Sequence, residues 1–174
     1  MSFYTEEDAI KATEADIRAY EEANEILPAV RKLIREFDGK MFNCKLDKAL
    51  NALDPRLGVS THYETTIEVY YRPSCGSNHW ISIFSGSKPS CKYYKEENSF
   101  LTPDKRINAD KALEIIEERR AERLKKIYEY RNFLDNYQET KKQLETLCKQ
   151  INTITDQIPY TMRDYFRMNY HITK

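Results

Sequence analysis

Between Pro103 and Pro159 the chain contains neither glycine nor proline. No other feature narrows the fold more, because these are the residues that most readily interrupt a helix. Alternating steps of three and four from Leu113 visit Leu113, Ile116, Arg120, Arg123, Ile127, Tyr130, Leu134, Tyr137, Lys141, Leu144, Cys148, Ile151, Thr155 and Ile158. Ten of these fourteen are apolar, counting tyrosine and cysteine, and three of the four interruptions are long side chains whose stems can lie along a seam. One helix over residues 109–158 would be roughly 75 Å long at 1.5 Å per residue. That exceeds the diameter of a domain this size, so the segment is expected either to pair as a dimeric coiled coil or to fold back as a helical hairpin. Leu134-Asp135-Asn136-Tyr137 favours helix least and marks the corner of such a hairpin. The aromatic stretch from Tyr160 to Tyr170 reads as a short docking helix.

The N-terminal third also reads as helical. Thr5-Glu6-Glu7-Asp8 resembles a capping box. After it Ile10, Ile17, Tyr20, Leu27, Val30, Ile34 and Phe37 recur by threes and fours, with Thr13 and Asn24 as polar members of the same stripe. Pro28 predicts a kink or a junction of two helices, with the proline in the first turn of the second. Gly39 supplies a left-handed terminator. Asn43 caps a further helix whose apolar face is Leu46, Ala49, Leu50 and Leu53, closed by Asp54-Pro55.

From residue 60 the period changes to two. Thr61, Tyr63, Thr65, Ile67, Val69 and Tyr71 alternate with polar neighbours, which predicts a half-buried strand over 59–72. Turn residues 73–78 lead to a second strand over 79–85, and residues 91–95 read as a third, edge strand. The expected architecture is therefore α+β. An α+β domain over 1–103 carries helices 5–38 and 43–53 and a small antiparallel sheet of two or three strands; a long helical or coiled-coil segment fills 104–174.

Lysine plus arginine equals aspartate plus glutamate at 28 each, so the chain as a whole exerts no net pull on nucleic acid and is not an acidic DNA mimic. The charge is unevenly placed: residues 1–38 hold 10 acidic and 5 basic side chains, while residues 101–174 hold 12 and 15. An acidic N-terminal helix against a basic C-terminal one is the simplest account. Four widely spaced cysteines, no signal-like start and no run of about 18 apolar residues predict a reduced, cytoplasmic protein that does not span a membrane.

Four side chains near the predicted hairpins, His62, Cys75, His79 and Cys91, have the chemistry of zinc ligands. Structural zinc sites more often present two tight pairs, and here only Cys75 and His79 form one. Neither a metal nor another cofactor is expected. His62, His79 and His171 are the only histidines able to serve a nucleophile, and none sits in a recognisable elbow. Glu68 is followed by Val69 and Tyr70, which breaks the acid-then-lysine pattern of a metal-dependent nuclease strand. No glycine-rich phosphate loop is present. The expectation is a chain that is not an enzyme and has no catalytic residue to name, the alternative being an enzyme whose cysteine, histidine and acidic groups cluster only in space.

Two binding features stand out. Arg119, Arg120, Arg123, Lys125, Lys126 and Arg131 line a basic stretch that could contact phosphates, or could be a solvated face compensated by neighbouring glutamates. Tyr70, Arg72 and Trp80 place aromatic and arginine side chains at the sheet, the residue types that dominate protein interfaces. Phe37-Asp38-Gly39-Lys40-Met41-Phe42-Asn43, continuing to Lys45 and Ala49-Leu50, resembles a stretch found in small uncharacterised proteins of bacterial phages and mobile elements. Cys44-Lys45 departs from the more basic pair expected there. The resemblance implies a context in which small proteins bind others, including inhibitors of host defence nucleases. A protein partner is expected, with a homodimer and a nucleic-acid-binding accessory role as further expectations.

Overall fold

The Thr5 hydroxyl accepts the Asp8 amide at 3.1 Å and donates to the Asp8 carboxylate at 2.8 Å, so the capping pattern opens helix α1, Glu6–Glu25. In this computed structural model, which describes residues 5–62, 65–74, 80–92, 94–157 and 162, the chain divides into two compact units, Met1–Arg131 and Asn132–Lys174.

In the first unit α1 gives way at Ile26 to α2, Leu27–Glu36, with Pro28 in the first turn as its missing amide permits. No side chain caps α2. Its buried Leu27, Val30 and Ile34 stabilise it instead, at about 1.5–3 kcal/mol each against the roughly 1 kcal/mol a cap contributes. Gly39 then takes a left-handed conformation at φ +67°. The Asn43 side chain accepts the Lys45 amide at 2.8 Å and starts α3, Cys44–Leu53, which buries Leu46 and Leu50.

Three antiparallel strands follow in the order β1, Leu57–His62; β2, Thr66–Tyr71; and β3, Ile81–Ser87. The single strand expected over 59–72 is two strands, because the alternating pattern runs on across the connection between them and leaves no break to read. Leu57 pairs with Tyr71 and His62 with Thr66, while a bulge between Val69 and Tyr70 adjusts the register to β3. Ile67, Val69 and Tyr71 point inward as the alternation requires. Of the edge strand expected over 91–95, the described Cys91, Lys92, Tyr94 and Lys95 lie outside any strand. Cys91 and Tyr94 close turns onto Lys88 and Cys91, and Lys95 leads into a one-turn helix over Glu96–Asn98.

Helix α4, Ala109–Asp135, starts at Asn108, whose side chain accepts the Lys111 amide at 3.0 Å, while the Asp38 carboxylate accepts the Ala109 amide at 2.8 Å. Ala109, Ala112 and Ile116 enter the same core as Ala23, Val30, Ile34, Leu50, Val69, Ile83, Phe84 and Phe100. The first unit ends after Arg131, whereas the glycine- and proline-free helical pattern placed the division at 103/104. Arg35 bonds Asp110, Arg31 pairs with Glu117, Asn24 with Arg123 and Glu21 with Arg131. One set of numbers falls as the other rises, so α4 runs antiparallel to α1 and α2.

The second unit holds α5, Tyr137–Gln157. The Asn136 amide donates to Asn132 at 3.1 Å and its carbonyl accepts from Thr140 at 3.0 Å, so helical bonds pass through the stretch expected as a corner. The segment from Tyr160 to Tyr170, read as a docking helix, lies outside the described residues apart from Met162. No helix among the described residues is long and apolar enough to cross a membrane.

Candidate functional site

On the outer side of the sheet the Tyr70 ring stacks on Trp80 with centroids 4.4 Å apart and planes 18° from parallel. The Arg72 guanidinium lies 5.3 Å from the Tyr70 ring and 5.0 Å from Trp80, and it donates to the Tyr70 hydroxyl at 3.3 Å. The sequence places these groups simply: Tyr70 is the outward member of the pair Tyr70-Tyr71, and Arg72 is the next outward position. Gly58 opposes Tyr70 across the ladder, and its lack of a side chain leaves room for the ring. Trp80 remains 47 % exposed despite the stack.

Trp80 also rims a cleft of about 240 Å³ bordered by α1, α4 and the start of β3, whose lining includes Asp16, Tyr20, Ser82, Arg119, Glu122, Arg123 and Lys126. Arg123 is only 4 % exposed. Its Nε donates to Asn24 Oδ1 at 2.8 Å and one terminal nitrogen donates to the Ser82 carbonyl at 2.9 Å. Its other terminal nitrogen, the Asn24 amide nitrogen and the Ser82 hydroxyl are buried with no hydrogen-bond partner. Burial, reinforced by the charge of Arg119, pushes the Arg123 guanidinium down to about 10. Burial also raises the Tyr20 phenol, helped by Asp16. The Lys126 ammonium sits 5.7 Å from the Tyr20 ring centroid, a cation–π contact.

The basic stretch does not act as one surface. Arg123 is buried, whereas Arg119 pairs with Glu122 at 3.2 Å, Arg120 with Glu117 at 3.4 Å and Lys125 with Glu129 at 3.8 Å, while Arg131 reaches Glu21. Arg119, Arg123, Lys126 and Trp80 meet at the cleft; Arg120, Lys125 and Arg131 do not line it. Sequence reasoning missed Asp16, Tyr20 and Ser82 as their neighbours. A signal was present, since Asn24 and Arg123 each interrupt an apolar stripe, and two such interruptions satisfy one another when their stripes meet.

A second polar cluster fastens the end of β2 to α1. Glu22 accepts the Tyr71 hydroxyl at 3.2 Å, the Ser74 hydroxyl at 2.7 Å and an Arg56 nitrogen at 3.2 Å, and Arg56 grips Asp54 through two further nitrogens. The hydrogen bonds from Arg56 hold the Asp54 carboxyl below the usual carboxylate range, and burial pushes the Tyr71 phenol up to about 12. Of the four candidate zinc ligands, Cys75, His79 and the His62 side chain lie outside the described residues and Cys91 is half-buried. Among the described residues no group of three histidine, cysteine or acidic side chains is placed to hold a metal ion.

Comparison with known proteins adds no relative: no family model, no curated protein and no solved structure matches this chain.

Proposed function

We propose that this chain is a non-enzymatic binding protein that takes a protein partner on the outer face of its sheet, through Tyr70, Arg72 and Trp80. The observation that carries this reading is the exposure of Trp80, which stays 47 % open to water while clamped by a stacked tyrosine and an arginine. An indole already fixed in one rotamer loses little freedom on binding, and tryptophan, tyrosine and arginine are the side chains that contribute most at interface centres. The alternative of a nucleic-acid-binding accessory protein is less well supported. Arg119, Arg120, Lys125 and Arg131 already have carboxylate partners, with which a phosphate would have to compete.

The narrower role of a phage or mobile-element inhibitor of a host defence nuclease is supported by the resemblance at residues 37–50. Its test is the cleavage rate of such a nuclease with and without the purified protein, where an unchanged rate discards the role.

The broader reading is tested by tethering the full chain and comparing what wild type, Trp80→Ala, Arg72→Glu and Arg120→Ala retain. The expected outcome is a protein ligand held by wild type and Arg120→Ala and lost by the other two, with a shift in Trp80 emission on binding. Retention that ignores Trp80 and Arg72, or retention of nucleic acid that Arg120→Ala weakens, overturns it.

A further inference from the structure

Arg123 carries a buried charge without a counterion. It is 4 % exposed, and both of its hydrogen bonds go to uncharged oxygens, Asn24 Oδ1 at 2.8 Å and the Ser82 carbonyl at 2.9 Å. The adjoining acid in the chain, Glu122, is held by Arg119 at 3.2 Å. An ion is costly to take out of water, and buried ions are ordinarily paired. The same three residues each bury one further polar atom with no hydrogen-bond partner: the second terminal nitrogen of Arg123, the Asn24 amide nitrogen and the Ser82 hydroxyl. A buried water satisfies such groups but brings no charge. A group that answers both needs is an anion that accepts hydrogen bonds.

Arg123 and Ser82 both line the cleft of about 240 Å³, so the uncompensated charge borders a space that a ligand can enter. That lining holds three cations, Arg119, Arg123 and Lys126, against two carboxylates, Asp16 and Glu122. The excess is a single positive charge. It suits a monoanion, whereas a doubly charged phosphate would meet more repulsion from the two carboxylates than it gains. The rings of Tyr20 and Trp80 add an apolar surface to the same lining. Sites for drug-sized ligands run to roughly 300–1,000 Å³, so the occupant of this smaller cleft is a small molecule.

We propose that this cleft binds a small organic monocarboxylate, its carboxylate paired with Arg123 and its apolar end against Tyr20 and Trp80. Lys126, exposed and 5.7 Å from the Tyr20 ring centroid, adds a cation that draws the anion toward the cleft. Asn24 and Ser82 hold the guanidinium in place through the two bonds it already makes. The site goes beyond the sheet-face reading and needs no protein partner, although Trp80 belongs to both.

The test replaces sodium chloride with sodium butyrate or sodium phosphate around the full chain, at neutral pH and constant ionic strength. Two signals report on the cleft: the emission of Trp80, the one tryptophan of the sequence, and the arginine Nε–H resonances in a nitrogen–proton NMR spectrum. Wild type and Lys48→Ala, whose lysine is exposed on α3 and does not line the cleft, should respond saturably to butyrate, with phosphate at least about tenfold weaker. Arg123→Met should weaken butyrate binding at least about tenfold and Lys126→Glu by a similar factor. Lys126→Glu, at an exposed position, keeps the result readable should Arg123→Met fail to fold. No saturable response of wild type up to about 100 mM butyrate overturns the proposal. So does a butyrate response that survives either substitution in a folded variant, or a phosphate response as strong as that to butyrate.

Discussion

The Tyr70 ring lies across Gly58 so closely that a Cβ on Gly58 would stand 2.6 Å from the tyrosine hydroxyl oxygen. Gly58→Ala therefore displaces the ring and separates it from Trp80. The expected cost is about 1 kcal/mol, since the obstructing atom is the free end of a side chain that can swing aside. Trp80 emission should move toward that of a more exposed indole. In a Tyr70→Ala background the same glycine substitution should cost almost nothing, and a double-mutant cycle that is additive rejects the contact.

Arg123 tests the worth of a buried charge. Arg123→Ala leaves the Ser82 carbonyl and the Asn24 side chain without their partner and opens a void, so it should cost roughly 3 kcal/mol in denaturant unfolding. Arg123→Met keeps most of the volume and removes a charge that burial already disfavours, so it should cost less than half as much. Equal losses would mean that the polar contacts to Asn24 and Ser82, which both variants remove, outweigh the filled volume in holding the cleft together.

The Tyr71 phenol, pushed up to about 12 from an ordinary value of 10.0, gives stability a definite slope at high pH. In that interval the folded chain holds a proton that the unfolded chain has lost. The tyrosine's contribution is thus complete below pH 10 and disappears as pH rises through 12. Arg123 opposes it, because its folded value lies below the ordinary arginine range and relief of the buried charge grows over the same interval. Melting temperatures of wild type and Tyr71→Phe from pH 9 to 12 separate the two, and the phenylalanine variant should show the shallower fall. A steeper fall would reverse the assignment.

Two glycines should respond to alanine for different reasons. At Gly86 a Cβ would stand 2.9 Å from the Phe100 amide and from Ser99 Cα, so backbone would have to move, at about 2–3 kcal/mol. Around Gly39 nothing lies within 4 Å, and only its left-handed backbone resists substitution, at about 1 kcal/mol. Thermal unfolding should rank Gly86→Ala well below Gly39→Ala, and Gly39→Asn should recover part of the smaller loss.

Local chemistry made much of the fold legible. The Thr5 and Asn43 caps, the junction at Pro28 and the left-handed Gly39 each depend on a residue's own backbone preferences and occur where the sequence puts them. The inward set Ile67, Val69 and Tyr71 follows from a two-residue period. The division between β1 and β2 was hidden because that period continues through residues 61–66 with no glycine or proline to interrupt it. Much of the candidate site was beyond local reasoning. Glutamates three or four residues away neutralise Arg119, Arg120 and Lys125, which the sequence already allowed, but the Glu21 partner of Arg131 and the Asn24 and Ser82 partners of Arg123 lie far off in the chain. Only Tyr70, Arg72 and Trp80 stand together as the strand pattern suggests, because their geometry is set within one short sheet.

The entry of Ala109, Ala112 and Ile116 into the core has a consequence for how the molecule is made. A growing chain that has exported strands and α1 to α3, but not yet the opening turns of α4, holds Val30, Ile34 and Phe84 against an unfinished wall. The nascent protein must therefore carry that open apolar surface until residues 109–116 leave the ribosome, which makes the interval before α4 emerges the one in which a chaperone, or a neighbouring nascent chain, finds most to bind.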